Sequence, residues 1–306
     1  MRSKDRQPRR AAALLCALLV ALTALAVLAV PASAGWLSPG AGPSDNAQKI
    51  DTLYWVVFVI SIPIFVGVEG ALIYAMVKFR ARKGAVPAQI RGNTRLEIGW
   101  TLGAAVIVVV LAVVTFAFLP AIRNPPPTGP DGLDVQRAGL TGQPVAEGGV
   151  GRQPPVPEGG NALNIDVNGQ QYVWRYTYAD NDDNNLNNVF AYQQMVVPTN
   201  TTVVLSIRSQ DVAHSWWIPS LGGKFDAIPG YTNYTWYNVS EPGVWGGRCA
   251  ELCGRNHANM VASVRAVTPE QFQRWYTDKR RQIAQANAEA ARQRQQVEGG
   301  TPAPGA

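Results

Sequence analysis

Tyr172-Val173-Trp174-Arg175-Tyr176-Thr177-Tyr178 sets four large aromatic residues at every second position. Successive side chains of a strand point to opposite faces, so this spacing predicts a half-buried strand with one aromatic face on a core. The same alternation recurs in Leu163, Ile165 and Val167, and again in Val203, Leu205 and Ile207; Met260 to Val267 supplies another short β segment. Turn-forming clusters, Asp180-Asn181-Asp182-Asp183-Asn184 and Pro229-Gly230, punctuate these runs. Several short strands within about 100 residues, Asn161 to Thr268, predict a two-sheet antiparallel sandwich or barrel.

Upstream of this domain the pattern changes. Two apolar runs, Leu53 to Phe79 and Ile98 to Ile122, each exceed the roughly 20 residues that cross about 30 Å of hydrocarbon, and together (53–122) they predict a transmembrane hairpin. The loop between them carries Lys78, Arg80, Arg82, Lys83, Arg91 and Arg95 with no acid until Glu97, so it should stay in the cytoplasm and leave the β-domain on the outer face. Glu69 lies inside the first span, where a carboxylate is costly unless it faces protein or water. It is read as packing against a partner helix. Residues 1–34 have the basic, apolar and Ala-Ser-Ala parts of a secretory signal peptide, with cleavage expected after Ala34; an uncleaved first helix is the alternative. An outer segment, 35–52, follows. Residues 123–160 are rich in Pro and Gly without hydrophobic periodicity and read as a linker that carries no chemistry. The tail, 269–306, opens on the helix signal Thr268-Pro269-Glu270 and is expected to be a solvated helix that frays.

The formal charge of the 306-residue chain is +6, but its basic residues cluster near the N-terminus, in the loop between the spans and in the tail. Asn161 to Thr268 holds six basic and eight acidic residues, a balance of 6 − 8 = −2. That domain has no nucleic-acid footprint.

Both histidines of the chain, and its only cysteines apart from Cys16, fall in that β-domain: His214, then Cys249-x3-Cys253-x3-His257-x2-Met260. Thiolate, imidazole and thioether make a soft donor set that suits copper over magnesium, calcium or manganese. One Cys, two His and a Met would make a mononuclear site; a second Cys lets two thiolates bridge two copper ions, each with one imidazole, and with Met260 and a main-chain carbonyl as weak outer ligands. Such a closed shell suits electron relay, not substrate catalysis. A four-ligand zinc site and a Cys249 to Cys253 disulfide use some of the same residues and stand as alternatives.

Asp211-Val212-Ala213-His214-Ser215-Trp216, Pro219-Ser220-Leu221-Gly222, Asp226-Ala227-Ile228-Pro229-Gly230 and Cys249-x-Glu251-x-Cys253-Gly254-x-x-His257-x-x-Met260 together resemble subunit II of the cytochrome c oxidases. The resemblance covers the hairpin, the β-domain and the start of the tail. It implies a membrane helical hairpin followed by an all-β cupredoxin-like domain, with His214, Cys249, Glu251 through its carbonyl, Cys253, His257 and Met260 holding the two-copper centre CuA. It implies that the Glu251 side chain shares a magnesium ion with subunit I, and that Glu97 marks the cytoplasmic mouth of a proton path. An acid at a helix start also complements the helix dipole. Partners implied are subunits I and III of the oxidase, cytochrome c as donor, and lipid of a bacterial-type plasma membrane. In one place the sequence departs from the family: Tyr172 stands where the family commonly has a Trp that receives electrons. Tyr172 or Trp174 would serve here, sandwich packing being the alternative for both. Asp180, Asp182, Asp183 and Asp211 would give the docking face a negative potential. A quinol oxidase subunit lacks the copper ligands, a nitrous oxide reductase-type protein carries a large further domain, and a copper carrier needs exposed, exchangeable ligands.

Overall fold

The computed structural model describes residues 42–80, 84, 86, 88–140, 161–180 and 187–299. The expected signal peptide, Asp182, Asp183 and the stretch 141–160 lie outside them. The chain forms two compact units, one containing Asp51–Leu119 and the other joining Ala41–Ile50 to Pro120–Ala306.

The first unit is built on helices α1 (Asp45–Lys78) and α2 (Thr94–Arg123), both long and apolar enough to cross a membrane. Their large apolar side chains, among them Phe65, Leu72, Val106 and Phe116, are exposed along the helix surfaces, as expected of helices whose solvent is lipid. The start of α2 is capped from both sides. Asn93 Oδ1 accepts the Leu96 N–H at 3.2 Å, and Glu97 Oε1 accepts the Asn93 N–H at 3.0 Å. Glu97 therefore satisfies a helix-start donor, the pattern of a reciprocal cap.

In the second unit two five-stranded sheets face each other. The first has the order β3 (Val189–Tyr192), β2 (Val173–Tyr178), β1 (Leu163–Gln170), β5 (Val203–Ser209), β8 (Asn233–Tyr237). The second runs β4 (Gln194–Pro198), β10 (Val261–Val267), β9 (Gly243–Cys249), β6 (His214–Trp217), β7 (Phe225–Ala227). This is the expected all-β cupredoxin-like sandwich. The sheets are not purely antiparallel, however: β1 runs parallel to β5, and β4 parallel to β10. Strand β4 leaves the first sheet for the second, so the chain re-enters the first sheet beside β1 pointing the same way. Alternation of side chains does not encode that direction.

Trp174, Tyr176 and Tyr178 bury the aromatic face of β2, and Tyr172 at its start is half-buried. Strand β5 is buried on both faces: Val203, Leu205 and Ile207 join the main core, while Val204 packs with Ala162 and Trp236. Strand β9 is rich in glycine and was not legible as a strand. Its Gly247 is required by close approach, because a Cβ there would sit 2.1 Å from the Trp217 carbonyl oxygen of β6.

Two stretches differ from expectation. Part of the stretch read as linker belongs to the sandwich: Leu133, Val135 and Leu140 are buried in its core, and the Leu133 N–H donates to Thr201 Oγ1 at 2.8 Å. These side chains pack through turns, which leave no periodic signal. The tail helix α3 (Pro269–Gly299) is not wholly solvated. Thr268 and Gln271 cap it reciprocally, and the buried Phe272 and Tyr276 and the half-buried Trp275 surround Tyr178. That i, i+3, i+4 stripe is concentrated in the first two turns, with Ile283 the one later residue that packs against the core, and the polar remainder masks it.

Candidate metal centre

His214 opens β6, Cys249 closes β9, and the antiparallel pairing of these strands sets Trp216 opposite Cys249. The sheet therefore brings the first histidine to the first cysteine. From Cys249 the chain loops through Cys253, makes one turn of 3₁₀ helix at His257–Asn259 and enters β10 after Met260. The loop is closed on itself, since the Cys249 N–H donates to the Met260 carbonyl at 2.9 Å.

The two sulfurs are 3.9 Å apart and both thiols are free, which is not the bonded geometry of the disulfide alternative. His214 Nδ1 lies 3.8 Å from Cys249 Sγ, and His257 Nδ1 lies 3.6 Å from Cys253 Sγ. Met260 Sδ is 3.9 Å from Cys253 Sγ, and the Glu251 carbonyl oxygen is 3.2 Å from Cys249 Sγ. His214, Cys249, Cys253 and Met260 are buried, whereas His257 is half-buried. His214, Cys249 and Cys253 present donor atoms within 4.8 Å of one another, and His257 stands outside that group. The donors thus spread along a pair of sulfurs and do not converge on one tetrahedral point.

Electrostatics divide the two thiols. Burial pushes the Cys249 thiol up, but hydrogen bonds with His214, with the backbone at Glu251 and Ser215, and with His257 outweigh it and bring it down to about 6. Burial and then the charge on Cys249 push Cys253 up to about 11. Burial opposes charge on His214, yet its contacts with Cys249 and Asp211 raise its pKa overall. Without metal the pair therefore holds a proton on Cys253 at neutral pH, and a cation that needs both thiolates must expel it. Copper affinity should rise at least about tenfold per pH unit between pH 7 and 9, since His214 must also be unprotonated to bind, with a steeper dependence as pH falls through about 6. Competition titrations at several pH values would read this directly; a flat profile contradicts it.

Of the other expected residues, Tyr172 lies against the ligand loop, where a Cβ on Gly254 would meet its Oη at 2.6 Å. Gly254 adopts φ +133°, so the loop needs glycine there twice over. Trp174 is fully buried and meets the His214 ring edge-on at 5.9 Å between centroids. The Glu251 carboxylate faces Lys224 Nζ at 3.8 Å. Glu97 belongs to the hairpin unit, in the cap described above. Of the two described acids expected on a docking face, Asp180 is buried beside Arg280 at 3.8 Å, whereas Asp211 stays exposed while one of its oxygens bonds His214. Sequence reasoning missed Gln171, whose side chain donates to the Cys253 carbonyl at 2.6 Å; its place beside Tyr172 was the only signal.

Two family models match the chain: cytochrome c oxidase subunit II, periplasmic domain, over residues 163–267, and its transmembrane domain, over residues 34–118. The probable cytochrome c oxidase subunit 2 of Rickettsia bellii is 30% identical over 256 residues, covering 79% of this chain and 83% of that protein. The cytochrome c oxidase subunit 2 of Synechocystis is 34% identical over 256 residues, covering 78% and 74%. That of Alkalihalophilus pseudofirmus is 31% identical over 226 residues, covering 72% of this chain and 56% of the relative, so the chain spans about half that protein's length. The matched domains coincide with the helical hairpin and the sandwich. The chain is a membrane protein with an outer C-terminal domain.

Proposed function

Starting from the chain's membership of the cytochrome c oxidase subunit II family, we propose that it is the electron inlet of a proton-pumping respiratory oxidase in a bacterial-type plasma membrane. Electrons from a cytochrome c enter at a binuclear copper centre, CuA, held by His214, Cys249, Cys253, His257, Met260 and the Glu251 carbonyl. They leave for haem in subunit I, where oxygen is reduced to water. Subunit III completes the set of implied partners.

One observation carries the reading: two free thiols 3.9 Å apart, each beside its own imidazole, with a thioether and a carbonyl at the flanks. That donor set fits copper, and its spread along two sulfurs fits two ions better than one zinc. Copper bound there supplies a one-electron acceptor. The protein's part is to hold the donors rigidly: the strands fix His214 and Cys249, and the closed loop fixes the rest, so little must rearrange on electron transfer.

Tyr172 is the residue proposed to receive electrons, because it is half-buried and borders the ligand loop, whereas Trp174 is sealed in the core and packs on His214. Trp174 then lies on the inner side of the path. Glu251 is proposed to share a magnesium ion with subunit I through its carboxylate, the hard oxygen ligand that metal prefers. Glu97 is proposed as a proton-path residue in addition to its capping role.

Replacing Tyr172 with Leu should slow reduction by cytochrome c about tenfold, roughly 1.4 kcal/mol of barrier, with copper content unchanged. Stopped-flow reduction of the membrane-purified complex measures it, and an unchanged rate removes Tyr172 from the path. Copurification of a haem-bearing, multi-span subunit tests the assignment as a whole; its absence contradicts it.

A further inference from the structure

Asp211 is outside the ligand set, yet both oxygens of its side chain are committed to it. Oδ1 lies 2.8 Å from His214 Nε2 and accepts the Val212 N–H at 2.7 Å. Oδ2 accepts the Gln171 N–H at 2.7 Å. Gln171 in turn donates its side-chain amide to the Cys253 carbonyl at 2.6 Å. A continuous run of hydrogen bonds, His214 to Asp211 to Gln171 to Cys253, thus ties the strand-borne end of the donor set to the loop-borne end. It passes through the turn that carries Tyr172.

We propose that Asp211 and Gln171 are positioning residues of the copper centre, Asp211 orienting and tuning His214 and Gln171 pinning the Cys253 end of the loop. The proposal rests on the copper reading above. An imidazole has two nitrogens, and only an unprotonated Nδ1 can serve as ligand on the sulfur side. A carboxylate on Nε2–H selects that tautomer, fixes the ring plane and makes the ligating nitrogen more basic. A fixed negative charge behind one ligand also favours the oxidised centre, so Asp211 holds the reduction potential down. His257 is half-buried and has no such carboxylate among the described residues, so the effect is confined to the His214 end.

The test uses the full-length chain in detergent, loaded with copper: the parent, Asp211→Asn, Asp211→Ala and Gln171→Leu. Copper retention is read against a competing chelator and midpoint potential by redox titration. Asp211→Ala should weaken retention about 10- to 100-fold, with Asp211→Asn intermediate because its oxygen still accepts from His214. Both should raise the midpoint potential, since both remove the charge. Gln171→Leu should weaken retention and leave the potential nearer the parent value. Asp211→Asn is close to isosteric, so a potential unchanged in that variant, with retention unchanged in Gln171→Leu, overturns the proposal even if Asp211→Ala does not fold. A parent chain that takes up no copper overturns the copper reading itself and this proposal with it. That result is distinct from a loaded parent whose variants match it.

Discussion

Cys253→Ser is expected to leave a folded chain that holds at most one copper and no longer supports oxygen uptake driven by cytochrome c. Cys253 Sγ lies 3.9 Å from Cys249 Sγ, 3.6 Å from His257 Nδ1 and 3.9 Å from Met260 Sδ, so three of the other donors converge on it. A serine hydroxyl stays protonated at neutral pH and is a hard oxygen where the site presents soft donors. It cannot stand in for the second thiolate that the proposed two-copper centre needs. Loss of an outer-shell partner of a metal site costs about 10- to 100-fold, and loss of a ligand should cost more; uptake should fall by more than about two orders of magnitude. Ser is nearly the same size as Cys, so the sandwich should keep its thermal transition. Copper analysis and an oxygen electrode check both parts, and normal uptake with two coppers contradicts the assignment.

Trp216→Ala should give the largest loss of stability. Trp216 is buried between the sheets, donates its indole N–H to Tyr176 Oη at 3.3 Å and stacks on Tyr237 at 6.4 Å between centroids. Removing a buried Trp to Ala costs about 3–5 kcal/mol. For a domain of this size that lowers the melting temperature by roughly 10 °C or more. The residue also pairs with Cys249 and lies two positions from His214 on the same short strand, so copper should be held more weakly even below the transition. Thermal unfolding followed by circular dichroism measures the first effect, and a shift under about 3 °C contradicts the packing argument.

These two residues differ in how visible they are in the sequence. Cys253 is conspicuous: two cysteines, two histidines and a methionine in one stretch have few chemical uses, and spacing alone suggested copper. Trp216 was visible only as part of a family-like motif, because β6 is four residues long and too short to show alternation. The core strands β1, β2 and β5 were legible from period-2 aromatic and aliphatic residues. Strand β9 was not, since Gly243, Gly246 and Gly247 interrupt any pattern, and it is the strand that delivers Cys249. The parallel pairings were invisible for a different reason: direction depends on which sheet an intervening strand joins.

Polar partners were the least legible. Asp180 and Asp211 read as surface acids near turns, yet Asp180 is buried beside Arg280, and Asp211, though exposed, is bonded to His214. Charge in a sequence carries no address, and the fold decides whether it faces solvent. Gln171 reaches Cys253 across 82 positions, a pairing created by the approach of the β1–β2 turn to the ligand loop. In Phe272, Trp275 and Tyr276 the helical spacing was present but was outweighed by the polar residues that follow.

The paired thiols are proposed to hold two copper ions. Metal analysis of the full-length chain purified from membranes tests it most directly: two coppers per chain and a purple, mixed-valence spectrum are predicted, whereas one zinc per chain in a colourless protein would contradict the account.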